Sequence, residues 1–254
     1  MCWEERSRRW VRRRSKRFGR LLANEAPEVP DYAAGVTQRT VAFFGDRVVP
    51  GSVFCIDASG SMAEATRLRS PTATSRTGVR DREKIDTTPK EPKLAIVKRE
   101  LSSALKGLHP SWGFNLARYS DAVSFWKPGK RGAGAVLANA KERSVKTAVE
   151  FTQGLVAEGA TNIHDTLVEA LSIPDVDTIY LLSDGEPTRG GGMRAIANSV
   201  AAFNYLRGVR IITYGFGAEQ RFRFRKRRGR GGSRPEDFMK QLALLNWGWY
   251  RRLN

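Results

Sequence analysis

Residues 51–62 read GSVFCIDASGSM, and they decide the architecture. Gly51 to Ile56 is short and continuously apolar, the pattern of a strand buried on both faces of a sheet. It runs directly into Asp57-Ala58-Ser59-Gly60-Ser61, five small or polar residues that leave the strand as a loop. Asp57, Ser59 and Ser61 occupy alternating positions, so their side chains can share one direction, and Gly60 keeps the turn uncrowded. A second segment repeats the plan: Thr178 to Leu182 (TIYLL) reads as a buried strand and ends in Ser183-Asp184-Gly185.

Around these two strands, apolar blocks alternate between strand and helix periods. Leu94, Val97, Leu101, Ala104 and Leu105 mark one helix; Val145, Val149 and Thr152 a second; Ile163, Leu167, Ala170 and Leu171 a third. A helix around Ile196, Val200 and Phe203 precedes the strand VRIITY at 209–214. A last helix contains Phe238, Leu242 and Leu245 and stops near Gly248, with Trp247 and Trp249 expected to pack against it. Phe114, Leu116 and Tyr119 alternate, as do Val123 and Phe125, which predicts a hairpin and an antiparallel edge strand. The expected fold is α/β, in three layers, with a mostly parallel sheet covered by helices on both faces.

Two carboxylates at the ends of apolar strands point to a ligand site, because open parallel sheets bind ligands beyond the carboxyl ends of their strands. Thr161, in GATNIHDTL, opens a helix after Gly159 and supplies a third hydroxyl. Asp57, Ser59, Ser61, Thr161 and Asp184 together form an all-oxygen donor set. Such a set suits a hard divalent cation, Mg²⁺ or alternatively Mn²⁺ or Ca²⁺, over zinc. Neutral hydroxyls leave most of the ion's charge uncancelled, so a carboxylate of a partner protein is the natural completing ligand. Reading Asp57 as a turn cap and Ser59 and Ser61 as helix caps leaves Thr161 and Asp184 without a role.

D-x-S-x-S at 57–61, G-x-T-N-I at 159–163 and S-D-G at 183–185, in this order and at these separations, resemble the metal-ion-dependent adhesion site of von Willebrand factor A domains of the bacterial type. The resemblance covers roughly 45–254. It implies a Rossmann-like sheet with Asp57 and Asp184 on adjacent strands. It implies Ser59, Ser61 and Thr161 as direct or near-direct ligands and Asp57 and Asp184 as carboxylates acting through waters. It also implies a non-enzymatic protein-interaction module. Two stretches depart from the compact pattern, an insertion at 64–92 beside the site and a lengthened loop at 219–234.

The chain has 254 residues and a formal net charge of +18. Nine basic residues against two acidic ones fall within 1–20, and eight basic residues with no acidic one fall within 221–234. Without these two tracts the chain is nearly neutral. Residues 1–34 are expected to be a basic leader or linker, helical through its Trp3, Trp10, Val11 and Phe18 stripe, and 35–254 the domain. Arg221, Arg223, Arg225, Lys226, Arg227, Arg228 and Arg230, with Phe222 and Phe224 between them, give an alternative reading as a nucleic-acid or anionic-surface contact. The resemblance to A domains allows another alternative, a subunit working with an AAA+ ATPase; the chain has no ATPase motif of its own.

Enzymatic readings find little material. His109 and His164 are the histidines, and G-x-S-x-G and G-x-x-x-x-G-K-[ST] are both absent. Cys2 and Cys55 cannot build a disulfide framework, and Cys55 reads as inert packing in a buried strand. No apolar run approaches the ~20 residues of a membrane span, and the basic start has no signal-peptide core. The chain as written is therefore expected in the cytoplasm.

Overall fold

A computed structural model describes residues 40–67, 89–127, 129, 134–184, 187–216 and 234–253. Among these, the central sheet is built from β3 (Ser52–Asp57), β6 (Gly113–Tyr119), β7 (Val123–Phe125), β8 (Ala138–Asn139), β9 (Thr178–Ser183), β10 (Arg210–Phe216) and β11 (Tyr250–Leu253). Its order is β11-β10-β9-β3-β6-β7, with β8 also on β6. The pairs β10–β11, β10–β9, β3–β9 and β3–β6 are parallel; β6 meets both β7 and β8 antiparallel. The antiparallel margin is thus two short strands where the sequence suggested one. The helices are α1 (Lys93–Gly107), α2 (Glu142–Gln153), α3 (Ile163–Ser172), α4 (Met193–Tyr205) and α5 (Pro235–Leu244). The mostly parallel α/β architecture matches the expectation, as do the hairpin at 113–125 and the helices marked by apolar spacing.

Strand alternation explains why the central strands read as unbroken apolar runs. Phe54 and Ile56 of β3, Tyr180 and Leu182 of β9, and Ile212 and Tyr214 of β10 enter one core with Ile96, Leu101 and Leu105 of α1. Val53, Cys55, Ile179, Leu181 and Ile211 point the other way, into a core with Leu167, Val200, Phe238 and Leu242. Both faces are covered, so both side-chain sets of each strand must be apolar. A short hairpin, β1 (Ala42–Phe43) with β2 (Asp46–Arg47), closes the first core. Phe43 meets Phe54 edge-on at 5.2 Å and Tyr214 at 5.3 Å, arrangements favoured by the ring quadrupoles.

One expectation is corrected here. Trp247 and Trp249 do not pack the last helix inward: they are 37% and 42% exposed, and Arg210 lies over the Trp249 ring at 5.8 Å. After that helix the chain adds β11 as a parallel edge strand, an element the sequence reading did not include. The leader and the arginine tract 221–230 lie outside the described residues. So does most of the insertion at 64–92, although its two ends pair as β4 (Ala65–Thr66) with β5 (Glu91–Pro92). No helix among the described residues is long and apolar enough to cross a membrane.

Along the sheet, chain order runs from β3 outward to β6 and β7, then returns to the opposite side of β3 with β9, β10 and β11. The direction reverses between β3 and β9. Their carboxyl ends are Asp57 and Ser183, so the crevice at the switch point opens beside the two acidic motifs.

Candidate metal centre

Asp57 ends β3 with no exposed surface. Its Oδ1 accepts the Ser59 N–H at 2.8 Å and its Oδ2 accepts the Ser183 hydroxyl at 2.7 Å. The first bond folds the loop back over the strand end and frees both serine hydroxyls from backbone duty. Ser59 is the N-cap of a short 3₁₀ turn, Gly60–Ala63, and its side chain makes no capping bond there. Ser59 Oγ instead lies 3.1 Å from Ser61 Oγ, and Ser61 Oγ donates to Asp184 Oδ1 at 2.7 Å. A continuous run of oxygens therefore links the ends of β3 and β9.

The Thr161 loop sits against this run. Gly60 N–H donates to Gly159 O at 3.1 Å and Glu158 N–H to Ala58 O at 2.8 Å. Gly159 has φ +77°, and a Cβ there would stand 2.1 Å from Asp121 Oδ2, so only glycine permits this approach. Thr161 is 5% exposed; its N–H donates to Thr188 Oγ1 at 2.9 Å, while Thr188 N–H returns to Thr161 O at 3.0 Å. Asn162, one residue on, caps α3 by accepting from Asp165 N–H. Tyr119, at the end of β6, donates to Leu182 O at 2.8 Å and braces the strand ends from below.

Burial pushes the Asp57 carboxyl up to about 6; bonds from Ser59 and Ser183 pull it down, and the Asp184 charge adds to the rise. The folded value lies above the ordinary 3.8, so the protonated form favours the fold. This contribution to stability is fully present below about pH 4 and is lost as pH climbs through about 6, a swing of about 3 kcal/mol. In EDTA, wild type should therefore lose stability relative to Asp57→Asn between pH 4 and 7, measured by urea denaturation. Parallel pH profiles for the two proteins would contradict the burial described here.

The donor set fits a hard cation. It offers hydroxyls and carboxylates, and among the described residues no three His, Cys, Asp or Glu side chains gather as a softer or all-carboxylate cage.

The described fold superposes on the solved structure of von Willebrand factor type A from Catenulispora acidiphila with a TM-score of 0.55, at 18% identity, over 80% of this chain and 38% of that chain. The fold is that of a von Willebrand factor A domain. No family model matches the chain. Inter-alpha-trypsin inhibitor heavy chain H4 of Homo sapiens is 29% identical over 175 residues, which is 64% of this chain and 16% of that protein. Von Willebrand factor A domain-containing protein 3A of Homo sapiens is 25% identical over 137 residues, 54% of this chain and 10% of that protein. The chain thus spans less than a fifth of the length of either curated relative.

Within the A domain, Asp57, Ser59, Ser61 and Asp184 share one hydrogen-bonded run, and the Thr161 loop abuts it. His164 does not turn to this crevice: its ring bonds Asp165 beside it on α3 and Ser199 on the neighbouring α4. Cys55 is fully buried and burial pushes its thiol far up, in keeping with packing. Three partners escaped the sequence reading. Ser183 holds Asp57, Thr188 holds the Thr161 loop, and Lys93 enters the crevice from α1. A lysine as the first residue of a helix was the available signal for the last, since the positive end of the helix dipole disfavours a cation there.

Proposed function

We propose that this A domain is a non-enzymatic, metal-dependent protein-interaction module of the bacterial type with a complete adhesion site, 35–254 being the domain and 1–34 its leader. The observation that carries the reading is the run Ser59 Oγ, Ser61 Oγ, Asp184 Oδ1 laid across the switch point, with buried Asp57 behind it. Ser59, Ser61 and Thr161 would hold Mg²⁺, or Mn²⁺ or Ca²⁺, directly, and Asp57 and Asp184 would hold its waters. When bound, the ion supplies a Lewis acid that accepts a carboxylate oxygen from a partner protein. The chain's own part is to keep the donors neutral at the front and the charges behind. Asp57 fixes the loop through Ser59 N–H, and Ser183 and Tyr119 keep the carboxyl ends of the strands in register.

The test is calorimetric titration of Mg²⁺ and Mn²⁺ into wild type and Ser59→Ala, followed by capture of proteins from lysate with and without EDTA. Ser59→Ala should weaken divalent binding by about a hundredfold and abolish the EDTA-sensitive part of capture, with an unchanged circular dichroism spectrum. Divalent uptake that is measurable and equal in the two proteins would refute the assignment.

A further inference from the structure

Lys93 is 7% exposed and begins α1, after Pro92 and with no acidic residue in the first turn. Burial and the helix dipole both oppose a cation at this position. What holds it there is the rim of the crevice: Lys93 Nζ donates to Asp184 Oδ2 at 2.7 Å, to Glu64 Oε2 at 2.8 Å and to Ser61 O at 3.3 Å. Its three protons thus have three acceptors. Its backbone N–H donates to Glu64 O at 3.0 Å, which pins the start of the helix to the rim as well. Asp184 is shared: one oxygen takes the ammonium, and the other takes the Ser61 hydroxyl that faces the donor run. The Asp184 side chain is 1% exposed and Glu64 63%, so the buried carboxylate is the partner that anchors the lysine.

We propose that Lys93 is a tethered counter-cation of this site, which neutralises Asp184 and keeps the rim assembled without metal, and which by the same charge lowers the site's affinity for divalent ions. The inference rests on the metal reading above. An ammonium and a divalent ion drawing on opposite oxygens of one carboxylate repel each other across a few ångströms of low-dielectric protein. Lys93 thereby sets the concentration of free divalent ion at which the domain becomes competent for its partner, and gives the metal-free form its own stability.

The experiment compares wild type, Lys93→Met and Lys93→Gln by calorimetric titration with Mn²⁺ and Mg²⁺ and by thermal melting in EDTA and in Mg²⁺. Methionine keeps the apolar stem without charge; glutamine keeps a donor toward Asp184 and guards against a variant that fails to fold. Both should bind divalent ions at least about tenfold more tightly than wild type. Both should melt lower in EDTA and gain more from Mg²⁺ than wild type does. Metal uptake by the variants where wild type takes up none supports the inference in its extreme form. Affinity unchanged or weakened in both variants, with wild type binding normally, overturns the inference and leaves the metal reading standing. Tightened binding that survives Ser59→Ala in the Lys93→Met background also overturns it, since the ion is then elsewhere. No uptake by wild type or either variant removes the metal reading and this inference together.

Discussion

Asp184→Ala is expected to cost the metal-free domain about 3 kcal/mol of unfolding free energy, measured by urea denaturation in EDTA. The carboxylate is almost fully buried and serves two donors, Ser61 Oγ and Lys93 Nζ. Its removal leaves a buried ammonium with Glu64 as its remaining carboxylate, and that side chain is 63% exposed. Breaking a buried pair from one side costs about 3–5 kcal/mol, and the surviving Glu64 contact places this case at the lower end. The mechanism makes a second, sharper demand. In Asp184→Ala/Lys93→Met the uncompensated charge is gone, so the double variant should recover about 1–3 kcal/mol relative to the sum of the single changes. Strict additivity would show that the two side chains do not depend on each other.

Gly248→Ala should be still more damaging, by at least about 3 kcal/mol, with the domain failing to fold at 37 °C as an acceptable outcome. A Cβ at this position would stand 1.8 Å from Ile211 O and 2.5 Å from Ile211 C. Both atoms belong to the backbone of β10, which is paired on both sides, so neither can yield by a rotamer change. The turn cannot lift away either: Ile211 N–H donates to Asn246 O at 3.1 Å and Thr213 N–H to Trp249 O at 3.0 Å. Moving it detaches β11 and the Asn204–Asn246 side-chain bond with it. Gly134→Ala is the control, because a Cβ there meets nothing within 4 Å; its effect should stay within about 0.5 kcal/mol. Equal effects at the two glycines would contradict the packing of the turn.

The contrast between β3 and β11 shows what the sequence could reveal. β3 is buried on both faces, so its own residues carry the signal, and Asp57-Ala58-Ser59-Gly60-Ser61 follows as a compact local motif. β11 reads Tyr250-Arg251-Arg252-Leu253, with two arginines in four residues, and its strand character comes from β10 beside it. Arg251 is there for a distant partner: it pairs with buried Asp46 of β2, whose carboxylate also takes the Tyr214 hydroxyl at 2.9 Å. Lys93 was hidden for the same reason. Its acceptors are 29 to 91 positions away in the chain, and helical spacing alone reads a terminal lysine as solvated. The oxygen-bearing side chains that line the crevice were legible because three separate motifs carried them. The groups that orient those donors, Ser183 apart, lie outside any motif.

The short pairing of Ala65–Thr66 with Glu91–Pro92 has an engineering consequence. Its two strands hold the ends of the intervening chain about 5 Å apart, so ring closure is settled at this neck and depends only weakly on how many residues lie beyond it. Thr66 and Glu91 therefore mark the two positions between which a change in chain length should cost little closure entropy.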